Sequence, residues 1–352
     1  MATHSCQFQE TTWDEDLRAA QVQVIFTSAD SFLNTASELQ KNLKSKLKIP
    51  PFFFNRMYLQ SNGFCGYDVQ LNRNEEVELY TYWSRFTVKQ TYDKLQPKRT
   101  FTPHVSNHHS SPGEWNADIA LHGPQSTRHG WEWYEMGFFA YWTQSGPTIL
   151  LCFDMPAKSQ SDVQSMFCSQ DISRSCPYAV FSLISDALLR LYDDSVWAVR
   201  NHISQWEARR SQEVDYFLLH EIARHGVHVS ETLNVAIRSL DATQHHHERF
   251  RTNNDLARSN NGHSHWDKVG SRFEFQLRFL QGLLQRSEAN NARIQNEITL
   301  AFNAAAQRDS KVQLQIGEEA KREASAMKAI AVVTMTFLPA TFVSVSCPVS
   351  LY

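Results

Sequence analysis

The spacing of apolar residues changes along the chain, and each change predicts a different kind of element. Val22–Phe26 (VQVIF) is a short apolar run with the length of a strand. Over 29–47, Phe32, Leu33, Ala36, Leu39, Leu43 and Leu47 recur at helical spacing, and Pro50-Pro51 ends that helix. The stretch 76–87 (EVELYTYWSRFT) is rich in aromatic and β-branched residues, a strand composition. Segments 135–143 and 148–154 flank Gln144-Ser145-Gly146-Pro147, which predicts a hairpin closed by a glycine-containing loop. Between them, 97–130 holds prolines, glycines and five of the fifteen histidines and reads as loop.

From Tyr178 onward the period is helical. Proline is absent from 178 to 338, and Val214, Phe217, Leu218, Ile222, Leu233, Ile237 and Leu240 keep a helix spacing. Asn253–His265 (NNDLARSNNGHSH) is the one polar break, so two long helical arms are expected to run antiparallel across a turn there. In the second arm, steps of four and three from Phe273 pass through Leu277, Leu280, Leu284, Ser287, Asn291, Ile294, Ile298, Ala301, Ala305, Arg308 and Val312. That is a heptad seam with polar layers at Ser287, Asn291 and Arg308. Only Gly282 and Gly317 interrupt good helix formers over Ser271–Leu338, and a single helix there would be about 100 Å long at ~1.5 Å per residue. A break near Gly317 is the other reading of that stretch.

Composition narrows the classes. Apolar residues make up 42% and charged residues 20% of 352, values of a folded chain. The formal charge of -3 leaves no basic footprint, so nucleic acid is not an expected partner. Six scattered cysteines without a CxxC spacing suit a reducing compartment better than a disulfide scaffold or a zinc ribbon.

The two ends differ. Residues 1–16 carry Asp14, Glu15 and Asp16 and show no secretory or transit signal. The C-terminal end has no charged residue from 329 to 352, and Ala329–Val345 reads AIAVVTMTFLPATFVSV, close to the ~20 apolar residues that a membrane helix needs. A buried core helix ending at Pro339 is the alternative. Lys311, Lys321, Arg322 and Lys328 precede the run and nothing basic follows, so the positive-inside rule keeps the first 328 residues on the cytosolic side. A single membrane span with the N-terminal bulk in the cytosol is the expectation.

Met327-Lys328 and the following run, ending Phe337-Leu338-Pro339-Ala340-Thr341-Phe342, resemble the end of the stalk and the first transmembrane helix of the CorA family of magnesium and divalent-cation transport proteins. The resemblance implies a homopentamer whose first membrane helices line an ion path. It places Met327, Ile330, Leu338 and Thr341 towards the pore, with Phe337, Pro339 and Phe342 as the family motif. Their spacing independently puts these four, and Thr334, on one helical face. A ring of methionine and leucine can gate by dewetting, and threonine hydroxyls can face a hydrated ion; helix-packing surface is the other use of such a stripe. Where the family carries Gly-Met-Asn, this chain has Pro348-Val349-Ser350, and no second span follows before Tyr352. The sequence therefore reads as a C-terminally truncated relative.

Other constellations were weighed. His220-Glu221-Ile222-Ala223-Arg224-His225 lacks the four-residue histidine spacing of a zinc protease helix. His245-His246-His247, with His263 and His265, reads as a solvated helix end flanking the polar break, and Cys168 and Cys176 as ordinary thiols. Asp193, Asp194 and Asp215 are surface carboxylates by default, with an ion-sensor role as the alternative. The crowd Trp131, Trp133, Tyr134, Phe138, Phe139, Tyr141 and Trp142 reads as hairpin packing rather than a ligand cage. No nucleotide-binding or serine-hydrolase motif occurs.

The expected fold class is α+β: an N-terminal α/β cytosolic domain (1–175), long antiparallel helices (176–326), the last a stalk helix continuing into a single transmembrane helix (327–347), and a short tail (348–352). The expected function is CorA-like divalent-ion transport, with magnesium as cargo, no cofactor, no catalytic residue, a lipid bilayer and further copies of the chain as partners. The alternative is a tail-anchored, non-conducting helical interaction protein.

Overall fold

The computed structural model describes residues 6–10, 22–29, 32, 45–74, 76–92, 130–144, 146–169, 176–209, 214–253 and 260–346. Most of the helix expected over 29–47, nearly all of the loop 97–130 and the tail beyond Ser346 lie outside them. Six strands form one mixed sheet: β1 (Cys6–Glu10), β2 (Val22–Thr27), β3 (Gly63–Leu71), β4 (Val77–Thr91), β5 (Trp131–Thr143) and β6 (Thr148–Phe153). Their order is β1-β2-β6-β5-β4-β3, with β1, β2 and β6 parallel and the remaining pairs antiparallel.

Local chemistry explains the two hairpins. In the loop between β3 and β4, the Asn72 side-chain oxygen accepts from Asn74 N (2.8 Å) and Glu76 N (2.9 Å), which fixes the turn. In the loop between β5 and β6, Gly146 N donates to Thr143 Oγ1 at 3.0 Å. Gly63 opens β3 at φ +151, and a Cβ there would meet the Arg85 carbonyl oxygen at 2.9 Å, so only glycine fits.

Helices α1 (Arg56–Leu59), α2 (Ala157–Ser169), α3 (Ala179–Ala208), α4 (Tyr216–Asn253) and α5 (Asn260–Ser346) complete the described elements, with a 3-10 turn at Pro51–Phe54. The chain divides into two compact units, Met1–Gln295 and Asn296–Tyr352. In the first, β4 is buried at nearly every position because the sheet is covered on both sides. Ile25, Phe32, Ile49, Phe53, Phe139, Leu151 and Phe153 form one core. A second core is aromatic, joining Tyr80, Tyr82, Tyr178, Phe181, Phe250, Trp266 and Phe273.

The long helices meet at matched positions. Gln276 Nε2 donates to the Ser182 carbonyl (2.7 Å) and Asn290 Nδ2 to the Val196 carbonyl (3.4 Å), so acceptors and donors alike stand two heptads apart. Arg272 pairs with Asp186 and Arg293 with Glu207, three heptads apart on both helices. Within this unit α5 therefore runs parallel to α3. It runs antiparallel to α4, as the polar break predicts, with Ser230–Ser287 (2.8 Å) and Arg251–Asp267 (2.7 Å) across that seam.

The expected heptad seam needs a correction. Phe273, Leu280, Ser287, Ile294 and Ala301 are buried as anticipated, but the second buried set is Gln276, Leu283, Asn290 and Glu297. Of the other expected seam residues, Ile298 is buried, Leu277, Leu284, Asn291 and Ala305 are half-buried, and Arg308 and Val312 are exposed. Gln276 and Asn290 take the deeper positions with their amides donating to α3 main-chain carbonyls, so each buried amide N–H finds an acceptor. The helix passes Gly317 without a break.

Candidate functional site

Met327, Ile330 and Thr334 lie on one face of α5 and are exposed, Met327 at 67% and Ile330 at 63%. The Thr334 hydroxyl donates to the Ile330 and Ala331 carbonyls of its own helix (2.9 and 3.0 Å). Leu338 and Thr341 continue the same backbone helix, as do the motif residues Phe337, Pro339 and Phe342, while the side chains of 337–346 lie outside the described residues. Among the described residues no helix is long and apolar enough to cross a membrane.

The aspartates singled out from the sequence do not converge. Asp193 accepts from the Trp197 indole (3.0 Å), Asp194 lies 3.7 Å from Lys158 Nζ, and Asp215 caps the start of α4 through Leu218 N (3.0 Å). Among the described residues no three His, Cys, Asp or Glu side chains stand close enough to hold a metal. Cys168 is exposed and Cys176 buried, each as a free thiol.

Two polar constellations inside the first unit went unrecognised in the sequence. The first is a cleft at the carboxyl ends of β2 and β6. Ala29, Phe53, Leu59, Phe64, Gly137 and Phe153 line it together with Arg85 and Asp154, and the accessible space is about 10 Å³, room for one water. The buried Arg85 guanidinium donates to Glu135 (2.5 Å) and to the Ser61 carbonyl (3.2 Å). Asp154, held at φ +54, accepts from Ala29 N at 3.1 Å, and burial raises its pKa.

The second surrounds Lys89. Strand β3 pairs with β4 only as far as Phe86, so 87–91 have no strand neighbour on that side. The first half of α4 packs there. Lys89, only 1% exposed, places Nζ 3.2 Å from the Trp131 ring centre and 4.4 Å from that of Trp133. His225 lies 5.8 Å from the Trp131 ring, His228 lies 5.3 Å from Trp133, and the Arg224 guanidinium stands 6.0 Å from Trp131. Burial first, then the Arg224 charge, pulls the Lys89 pKa down to about 7. Burial and the neighbouring Lys89 and Arg224 charges lower His225 to about 3.

Of the aromatic crowd, Phe138, Phe139 and Trp142 pack in the core as expected. Trp131 and Trp133 do form an aromatic cage, but around the chain's own lysine. The His220–His225 segment, rejected as a protease helix, supplies Glu221, Arg224 and His225 to it. Glu221 and His225 share a helical face at i, i+4, the usable signal in the sequence; the lysine partner is remote in the chain and carries none. The histidine triplet is likewise no uniformly solvated end. His245 is exposed, His246 lies tilted against Tyr67 (4.2 Å), and His247 is fully buried against Trp266 (5.2 Å), because successive helical residues point in different directions.

No family model matches the chain. Notoamide biosynthesis cluster protein M' of Aspergillus versicolor is 28% identical over 247 residues, 62% of this chain and 50% of that protein. The chain thus spans about half the length of the curated relative it matches. Among solved structures, the ZntB cytoplasmic domain from Vibrio parahaemolyticus RIMD 2210633 overlays with a TM-score of 0.39 at 9% identity, covering 80% of this chain and 87% of that one. The full-length CmaX protein overlays with a TM-score of 0.34 at 12% identity, covering 92% and 74%. At TM-scores this low, an overlay assigns the chain neither a detailed fold nor a function.

Proposed function

We propose that the chain is a CorA-like, divalent-cation-transport-related protein, magnesium being the cargo the resemblance implies. Its sheet and helices form the cytosol-side module, and α5 is the stalk that continues into a first membrane helix. In this reading Met327, Ile330, Thr334, Leu338 and Thr341 face an ion path in a homo-oligomer, a pentamer by resemblance. The observation that carries it is the single helix, which runs from Asn260 through Met327 and the Phe337–Phe342 motif to Ser346 without a break. From Phe302 to Thr336 that helix has no buried residue, yet it carries Val312, Leu314, Ile316, Met327, Ile330, Val332, Val333 and Met335. Apolar surface of this extent calls for lipid or another subunit to cover it.

The test is fractionation with a carbonate wash, comparing the full chain with one stopped at Lys328. The full chain is expected to stay with membranes and the shortened one to be released. Recovery of the full chain as a detergent-independent monomer would overturn the membrane assignment. Magnesium uptake in cells lacking their own transporter then tests conduction.

A second reading, a tail-anchored interaction protein that does not conduct, is favoured by Pro348-Val349-Ser350 standing where the transport family has Gly-Met-Asn. Membrane retention without rescued uptake would select it.

A further inference from the structure

We propose that the Lys89 cage binds a small oxyanion, of the size of acetate or phosphate, held by Lys89 and Arg224 with His225 as a further hydrogen-bond partner. Transport is not assumed: the site belongs to β4, β5 and α4 and stands whether or not α5 enters a membrane.

The first argument is unmet hydrogen bonding. Neither ring nitrogen of His225, which is 1% exposed, makes a hydrogen bond, Glu221 standing 3.6 Å from its Nε2, and the buried His228 Nδ1 and Thr91 Oγ1 also make none. Lys89 Nζ faces indole rings, and among the described residues no carboxylate lies within ion-pair distance of it. Buried groups of this kind ordinarily have a protein, water or ligand partner.

The second argument is charge. Two cationic side chains, Lys89 and Arg224, converge from two elements beside His225, which stays neutral above about pH 3, with His228 and, from α3, His202 around them. The opposing carboxylates are engaged or peripheral. Glu221 is committed to Arg224 (2.5 Å) and stands 3.6 Å from His225. Glu132 accepts from the Tyr134 hydroxyl, while Glu231 acts on His228 and Asp194 on Tyr134. Lys89 is thus the buried cation left without a carboxylate, and an oxyanion can accept from it, from the Arg224 guanidinium beside Glu221 and from a neutral imidazole N–H together.

The third argument is access. Arg224 is exposed, and Trp131, Trp133 and His228 are half-exposed, so the residues around the buried amine reach solvent. An anion entering there meets Arg224 first and the buried amine behind it. Binding favours the charged amine, so it is accompanied by proton uptake.

The experiment is isothermal titration of the full chain with inorganic phosphate and, separately, sodium acetate, at matched ionic strength with chloride as the control. Tryptophan fluorescence is followed in parallel, Trp131 and Trp133 being two of the chain's nine tryptophans. Saturable binding is expected, for acetate about tenfold tighter at pH 6 than at pH 8 if one proton is taken up, with heat that depends on the buffer's ionisation enthalpy. Tighter phosphate than acetate assigns the site to phosphates; tighter acetate than phosphate assigns it to carboxylates. Lys89→Met is expected to abolish binding. Arg224→Gln, an exposed change that spares the fold, is expected to weaken it at least ~tenfold, the loss of a charge-assisted hydrogen bond. Arg278→Gln, on a distant surface, is expected to leave it unchanged. Absence of saturable binding by both anions at pH 6 would overturn the proposal. So would binding that survives unchanged in Arg224→Gln without a pH slope, the mark of an adventitious ion only.

Discussion

Helix α5 is one element in two environments. From Trp266 to Ile294 it buries a residue every third or fourth position, whereas from Phe302 to Thr336 it buries none. Both stretches hold large apolar side chains at helical spacing. The difference lies in their neighbours: the first stretch has α3 and α4 beside it, fixed by Gln276, Asn290, Arg272 and Arg293. Amphipathic spacing says that a face exists; it does not say what covers the face.

The largest expected effect falls in the first stretch. Trp266→Ala removes a fully buried ring stacked on Phe250 and His247, and should cost about 3–5 kcal/mol in urea-monitored unfolding. A cost like that of an exposed site would break the contrast between the two stretches.

A middle-sized effect is expected where a buried charge loses its partner. Glu135→Ala strands the Arg85 guanidinium and should cost about 1–3 kcal/mol, moderated because Glu135 is itself half-exposed. Glu319→Ala, on the exposed stretch, should stay within ~0.5 kcal/mol in the same measurement.

A graded effect follows from Lys89. An amine brought from 10.5 down to about 7 binds its proton more readily in the unfolded chain. Stability is therefore full above pH 10.5, falls as pH drops towards 7, and levels off below. His225, lowered from 6.5 to about 3, continues the decline across that acidic window. Thermal melts from pH 6 to pH 10 should show the midpoint rising with pH, and Lys89→Met should flatten the rise. An unchanged slope in that variant would remove the lysine from the account.

The smallest effect belongs to Ile316→Ala, expected to change unfolding by less than ~0.5 kcal/mol in the isolated chain. A loss above ~1 kcal/mol would show that this face is already covered in solution, which sharpens the oligomer reading over the lipid one.

Much of the architecture was legible in the sequence. Strands at 22–27, 77–91, 131–143 and 148–153 follow from aromatic and β-branched runs, and the hairpin from Gly146. The long helices follow from the absence of proline between 177 and 339. What resisted was the depth of each residue. Gln276 and Asn290 look like surface positions, and Leu277 and Leu284 like core, until α3 presents its carbonyls. The Lys89 cage was hidden for the same reason: a lone lysine in a strand and two tryptophans some forty residues later become one site only when β4 and β5 pair.

The amide rungs between α3 and α5 also restrict sliding. At heptad spacing, positions 276, 283, 290 and 297 read Gln, Leu, Asn, Glu. A displacement of α5 by one heptad, about 10 Å at ~1.5 Å per residue, would set Leu283 against the carbonyl that now receives an amide. Only a shift of two heptads would bring an amide back into place. The pair therefore behaves like a notched ruler whose marks are spaced too widely for thermal creep to skip between them.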